Sequence, residues 1–163
     1  MPVDLGQWLT DLKALHEKAK LGELAPAEGR DYRARRAELA RALLAAQSLT
    51  RQPGQAQRQS LRVARALQVE LTGNGRKEKL TTFDISSGGF AAPMGTAPGQ
   101  GEMFTAAVRL PGSDPLVVPV KVVGSTPQMG YVRVSFTFGV LEPAASERLE
   151  LSILDMVLQQ LGR

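Results

Sequence analysis

Hydrophobic positions along this chain change their period twice. Over residues 4–20, Leu5, Trp8, Leu9, Leu12, Leu15 and Ala19 recur every three or four residues, which is the spacing of one helix face. Asp4 stands where its carboxylate can cap the first turn, and Gly22 where a left-handed residue can end the last. A second helix is predicted from Pro26, a residue suited to the first helical position, to about Gln47. Tyr32, Leu39, Leu43 and Ala46 mark its apolar face, and Arg30, Arg33, Arg35, Arg36 and Arg41 cover much of the rest. The short turn between the two predicts an antiparallel helical hairpin.

Residues 48–60 are polar and broken by Pro53-Gly54, the composition of a linker. From Arg65 the period falls to two, with Leu67, Val69 and Leu71 alternating with Ala66, Gln68 and Glu70. Gly73-Asn74-Gly75 signals a hairpin turn, because both residue types tolerate positive φ. A second strand is expected over Lys77–Ile85, a third from Phe90 to Ala92 after the Gly88-Gly89 break, and a fourth over Met103–Leu110. Leu116–Val123 is almost continuously aliphatic and reads as a strand buried on both faces. Tyr131–Phe138 alternates, with Val132, Val134, Phe136 and Phe138 on one side and Tyr131, Arg133, Ser135 and Thr137 on the other. Short strands at this spacing predict a barrel or sandwich. Pro143 opens a last helix whose stripe, Leu149, Ile153, Met156, Val157 and Leu161 with Leu151, Leu154 and Leu158 added, is wider than one packing face needs. One side could close the barrel end, and the other could meet the N-terminal hairpin or a second chain. The resulting division is a helical hairpin over residues 1–50, a linker over 51–62 and a β-barrel with its C-terminal helix over 63–163.

Composition narrows the function. Of 163 residues 43% are hydrophobic, enough for a real core, but only 5% are aromatic, so aliphatic side chains must fill it. The formal charge is +4, and Arg51, Arg58, Arg62 and Arg65 carry that much between residues 51 and 69 without one acid. The excess is therefore local, and a local cationic segment suits either an anionic partner or a solvated linker. The absence of cysteine excludes disulfides and thiolate chemistry. No apolar run approaches the roughly 18 residues that span a bilayer. The first residues carry Asp4 and Asp11 and lack a basic-then-apolar pattern, so no secretory signal is read and a cytoplasmic location is expected. His16, the single histidine, is expected at the surface. With it alone no nucleophile–base pair can be assembled, so the chain is not expected to be an enzyme, and no metal or cofactor is expected either. The arginine-rich helix is interrupted by Asp31 and Glu38 and reads as a solvated face. A nucleic-acid-binding barrel would need aromatic platforms on one strand face, whereas Phe136 and Phe138 fall on the apolar side, so nucleic acid is not an expected partner.

Two short patterns then stand out together. Arg58-Gln59-Ser60-Leu61-Arg62 places two guanidiniums four residues apart at the end of the linker. Asp84-Ile85-Ser86-Ser87-Gly88-Gly89 ends a strand and turns, with Asp84 and Ser86 on one side of an extended chain. A guanidinium is a rigid fork of donors that can grip O6 and N7 of guanine or pair with phosphate, and a carboxylate can accept from the guanine N1–H or amine. Gly88 and Gly89 leave room for a close approach. Taken singly, each pattern is common.

In their order and setting, a flexible arginine pair, a first hairpin, the acidic turn and a strand series closed by a helix, they resemble the PilZ family of bacterial receptors over about residues 57–161. Arg58 and Arg62 match the family's arginine pair, and Asp84, Ser86 and Gly89 match its second motif. Gln57 stands where members often carry a further basic residue, which leaves open one ligand or an intercalated pair. The resemblance implies a six-stranded antiparallel PilZ-like β-barrel with a C-terminal helix, and cyclic di-GMP as ligand. It implies that the arginine-bearing segment wraps the ligand against the barrel, so that the protein signals by changing conformation or partner binding. A protein partner or self-association is expected through the N-terminal hairpin or the C-terminal helix. The alternative is a nucleotide-independent PilZ-fold scaffold in pilus or motility assembly.

Overall fold

The computed structural model describes residues 4–49 and 62–161. The arginine-bearing linker as far as residue 61, with Arg51 and Arg58, lies outside the described residues. By compactness the chain falls into two units. One is Arg62–Met156, and the other is the N-terminal helices together with the residues from Val157 onward.

The helical unit forms as its caps dictate. Helix α1 runs Leu5–Leu21 and α2 Pro26–Leu49. Asp4 Oδ1 accepts from the backbone N–H of Gly6 at 3.0 Å and of Gln7 at 3.3 Å, satisfying donors that have no partner inside the helix. Gly22, at φ 71°, ends α1 and donates to Ala19 O at 3.1 Å. Glu28, in the first turn of α2, accepts from Ala25 N at 3.1 Å and from Lys18 Nζ at 2.7 Å, which ties the two helices across their turn. Leu12, Tyr32 and Leu39 are buried. His16 is buried with them, 1% exposed, contrary to the surface position expected for it. It follows Leu12 by one turn on the buried stripe, and its Nδ1 lies 2.9 Å from the Tyr32 hydroxyl, so the polar ring goes inside with a partner.

The second unit is one antiparallel sheet. Its strands are β1 Gln68–Gly73, β2 Arg76–Thr81, β3 Asp84–Ile85, β4 Gly89–Met94, β5 Met103–Val108, β6 Leu116–Gln128 and β7 Tyr131–Phe138, in the order β2-β1-β5-β6-β7-β4-β3. The strand expected over 77–85 is thus two strands, parted at Thr82 and Phe83. That break closes the barrel. The edge strands β2 and β3 are joined by only two residues, so the sheet must curl until its edges meet. The seam is sealed by the segment leading into β1. Leu67 O accepts from Thr82 N at 2.9 Å, and Val63 and Ile85 exchange both backbone bonds at 2.9 and 3.0 Å. Thr82, itself buried, lends its hydroxyl to the seam, accepting from Leu67 N at 2.9 Å and donating to Arg65 O at 2.6 Å. If the leading segment is taken with β1, and β2 with β3, the ring has the six strands expected.

The core follows from alternation. Val69 and Leu71 of β1, Phe104, Ala106 and Val108 of β5, and Val134 and Phe136 of β7 point inward. Phe90 and Phe136 stack with centroids 4.9 Å apart. In β6, Leu116, Val118, Val120 and Val122 are buried while Val117 is 65% exposed, so this strand is half-buried and the expectation of two buried faces is corrected. Its outward valines satisfy strand propensity without being needed by the core. Helix α3, Pro143–Leu161, buries Leu149, Ile153, Leu154, Met156, Val157 and Leu158, while of the other residues expected on this stripe Leu151 is half-buried and Leu161 is 44% exposed. Arg148 on α3 donates to Ser113 Oγ at 3.0 Å and to the carbonyl of Asp114, anchoring the helix to the loop before β6. No helix among the described residues is long and apolar enough to cross a membrane.

Candidate ligand-binding site

The seam of the barrel brings the expected residues onto one outer face. The Val63–Ile85 bridge is antiparallel, so its register sets Arg62 opposite Ser86 and diagonal to Asp84. Val63 and Ile85 point into the core, and their neighbours Arg62, Asp84 and Ser86 therefore point out. Arg62 Nη1 lies 3.8 Å from Asp84 Oδ1, an ion pair too long for a hydrogen bond. Arg58, the other half of the arginine pair, lies outside the described residues.

Asp84 is held from a second side. Arg133 of β7 donates from Nη2 to Asp84 Oδ2 at 3.0 Å. Sheet register explains the meeting: Asp84 pairs with Ala91, Ala91 with Ser135, and Arg133 is the next outward residue along β7. The Arg133 guanidinium also lies over the Phe83 ring, 4.9 Å from its centroid, and Phe83 in turn is 5.8 Å from the Tyr131 ring. The carboxylate is 16% exposed, whereas the side chains of Arg62 and Arg133 are 39% and 36% exposed. Two guanidiniums thus flank one carboxylate, leaving a local excess of positive charge at the surface.

Ser86–Gly89 forms the tight connection between β3 and β4. Ser86 N donates to Gly89 O at 2.8 Å, and Ser86 Oγ accepts from Gly88 N at 3.1 Å. With 8% of its surface exposed, Ser86 is chiefly engaged in shaping the turn. Gly88 O accepts from Phe138 N at 2.8 Å and from Thr137 Oγ1 at 3.1 Å, which fastens the turn to β7. Gly89 has a structural reason to be glycine. A Cβ there would collide with the carbonyl oxygen of Phe136 and stand 2.9 Å from its carbon and 3.0 Å from Thr137 Cα.

Sequence reasoning did not single out Arg133 or Phe83. The signal available was the outward phase of Arg133 in β7, but Asp84 is 49 residues away and only the closed sheet joins them. Among the described residues no three His, Asp or Glu side chains gather as a metal site.

The family model described as PilZ domain matches residues 56–155. No curated protein sequence matches the chain. Several solved structures share the fold. The inhibitor of motility (MotI/DgrA) of Bacillus subtilis is 18% identical, with a TM-score of 0.56 over 67% of this chain and 53% of that one. YcgR of Escherichia coli, solved in complex with c-di-GMP, is 16% identical, with a TM-score of 0.58 over 64% and 48%. MrkH of K. pneumonia, also solved as a c-di-GMP complex, is 21% identical, with a TM-score of 0.55 over 65% and 55%. The chain spans about half the length of these three proteins.

Proposed function

Because this chain belongs to the PilZ domain family, we propose that it is a cytoplasmic receptor for cyclic di-GMP that acts through conformation or partner binding rather than catalysis. The ligand contacts assigned are Arg58, Arg62, Asp84, Ser86, Gly88 and Gly89. The observation that carries this reading is the convergence of Arg62 and Asp84 on one outer face of the barrel seam, with a second guanidinium at hand. Cyclic di-GMP offers two phosphates and two guanines, and a guanidinium fork suits either group. Asp84 holds the cations in place and has lone pairs left for a guanine N–H. The Ser86–Gly89 turn presents the backbone beside them, and the c-di-GMP complexes of the YcgR and MrkH structures support the choice of ligand.

The switch we propose is the ordering of residues 51–62 on the ligand, with Arg58 and Arg62 pinned in the bound state. Its readout is a partner or a second copy engaging the N-terminal hairpin or the C-terminal helix. Each charge-assisted hydrogen bond is worth about 1.5–3 kcal/mol, so losing the Arg62 guanidinium should raise the Kd about 10- to 100-fold. Calorimetry with cyclic di-GMP on the wild type and on Arg62→Ala tests this. Equal affinity in the two proteins refutes the site, and no binding by the wild type leaves the nucleotide-independent scaffold.

A further inference from the structure

We infer that Arg133 is a further ligand-contacting residue of this site, and that it acts as a flat shelf on which one guanine base stacks. The inference rests on the ligand reading above and adds to it a residue from another strand with a distinct mode of contact.

The argument begins with what immobilises the side chain. A free arginine loses considerable rotamer entropy when it is ordered against a ligand. Arg133 is ordered already. One edge of its guanidinium is tied to Asp84 Oδ2 at 3.0 Å, and the guanidinium lies over Phe83 with its central carbon 4.9 Å from the ring centroid. Phe83 is braced in turn by Tyr131, 5.8 Å away between centroids. A planar group tied at one edge and set against an aromatic ring, with 36% of its side chain exposed, offers surface to a ligand without further ordering.

Phosphate is the less suitable occupant of that surface. The Arg133 edge nearest Asp84 already faces a carboxylate, and an anion approaching there would meet like charge. A purine approaching the flat face meets delocalised positive charge with no such repulsion. The resulting order is Phe83, Arg133, base, with Asp84 fixing the height of the shelf. Arg62, on the other side of Asp84, remains the arginine for phosphate or base edge.

The distinguishing prediction is that planarity at position 133 matters more than charge. Arg133→Lys keeps the charge and the reach to Asp84 but has no flat face, whereas Arg133→Ala removes both. Stacking on one base should make both substitutions raise the Kd for cyclic di-GMP by about 5- to 100-fold. The Lys variant should retain the wild-type thermal midpoint and the wild-type dependence of affinity on salt, because its charge is intact. Four proteins are titrated calorimetrically with cyclic di-GMP: wild type, Arg62→Ala, Arg133→Ala and Arg133→Lys. Should Arg133→Lys bind as tightly as the wild type, the residue acts by charge and the shelf is wrong. An Arg133→Ala protein with wild-type affinity removes Arg133 from the site while leaving Arg62 in it. If the wild type itself does not bind, the ligand reading fails and this inference fails with it. Should Arg133→Ala fold poorly, the Lys variant decides.

Discussion

Replacing Gly89 by alanine tests how much of the second motif serves the fold itself. The added methyl would strike the Phe136 carbonyl and sit 3.0 Å or less from two further backbone atoms of β7. Those atoms are main chain, so no rotamer change can relieve the contact, and β4 must move away from β7. Three bonds are local to that movement: Ser86 N to Gly89 O, Phe138 N to Gly88 O, and Thr137 Oγ1 to Gly88 O. Overpacking of this kind costs about 1–3 kcal/mol, and each weakened bond adds about 0.5–1.5 kcal/mol. With partial relaxation the total is about 2–5 kcal/mol. For a unit of this size that lowers the thermal midpoint by roughly 10 °C or more. The control is Gly95→Ala, where an added Cβ meets nothing within 4 Å. That change should leave stability level or raise it by about 0.4–1 kcal/mol through the unfolded chain. Urea or thermal unfolding of the full chain, followed by circular dichroism, gives the comparison. Equal midpoints for Gly89→Ala and Gly95→Ala would refute the claim that strand packing requires this glycine. If the claim holds, lost ligand binding in a Gly89 variant reports on the β3–β4 turn before it reports on any contact with nucleotide.

Two further outcomes follow from the seam and the hairpin. Thr82→Val removes the hydroxyl that serves both Leu67 N and Arg65 O and should cost about 1–3 kcal/mol in urea unfolding, whereas an exposed threonine such as Thr105 should tolerate valine with little change. The hydrogen bond from Lys18, and after it that from the Ala25 N–H, hold the Glu28 carboxyl below its ordinary value of 4.5. A carboxyl with a depressed folded pKa stabilises above its unfolded value and loses that contribution as pH falls through the folded one. Glu28→Gln should therefore lower stability at neutral pH and make its decline below pH 4.5 shallower than in the wild type, which thermal midpoints measured across that range will show.

Local rules made some parts of this molecule legible and left others dark. Asp4 and Gly22 bound α1 where capping chemistry placed them, because a cap depends only on neighbours three or four residues away. The Gly73-Asn74-Gly75 turn formed for the same reason, with Asn74 at φ 52° and Gly75 at φ 73°. The burial of His16 departs from its expected surface position because it depends on a hydroxyl 16 residues away, and helical period alone does not distinguish a satisfied polar residue from a solvated one. The break at Thr82 and Phe83 was invisible because it answers to closure of the whole sheet. At the candidate site, Arg62, Asp84 and the Ser86–Gly89 turn could be proposed from two short motifs. Arg133 could not, since its link to Asp84 passes through β3, β4 and β7, three strands whose register no single segment encodes.

The seam also carries a mismatch in length. From Leu67 back to Val63 is four residues, while the facing step from Thr82 to Ile85 is three, so the strand leading into β1 holds one residue more than its partner. Side chains alternate sides at every residue, so deleting any one of 64–66 while Leu67 stays paired would turn the Arg62 guanidinium toward the hydrophobic interior and Val63 toward water. Insertions or deletions should accordingly be rare between Arg62 and Leu67 across related sequences.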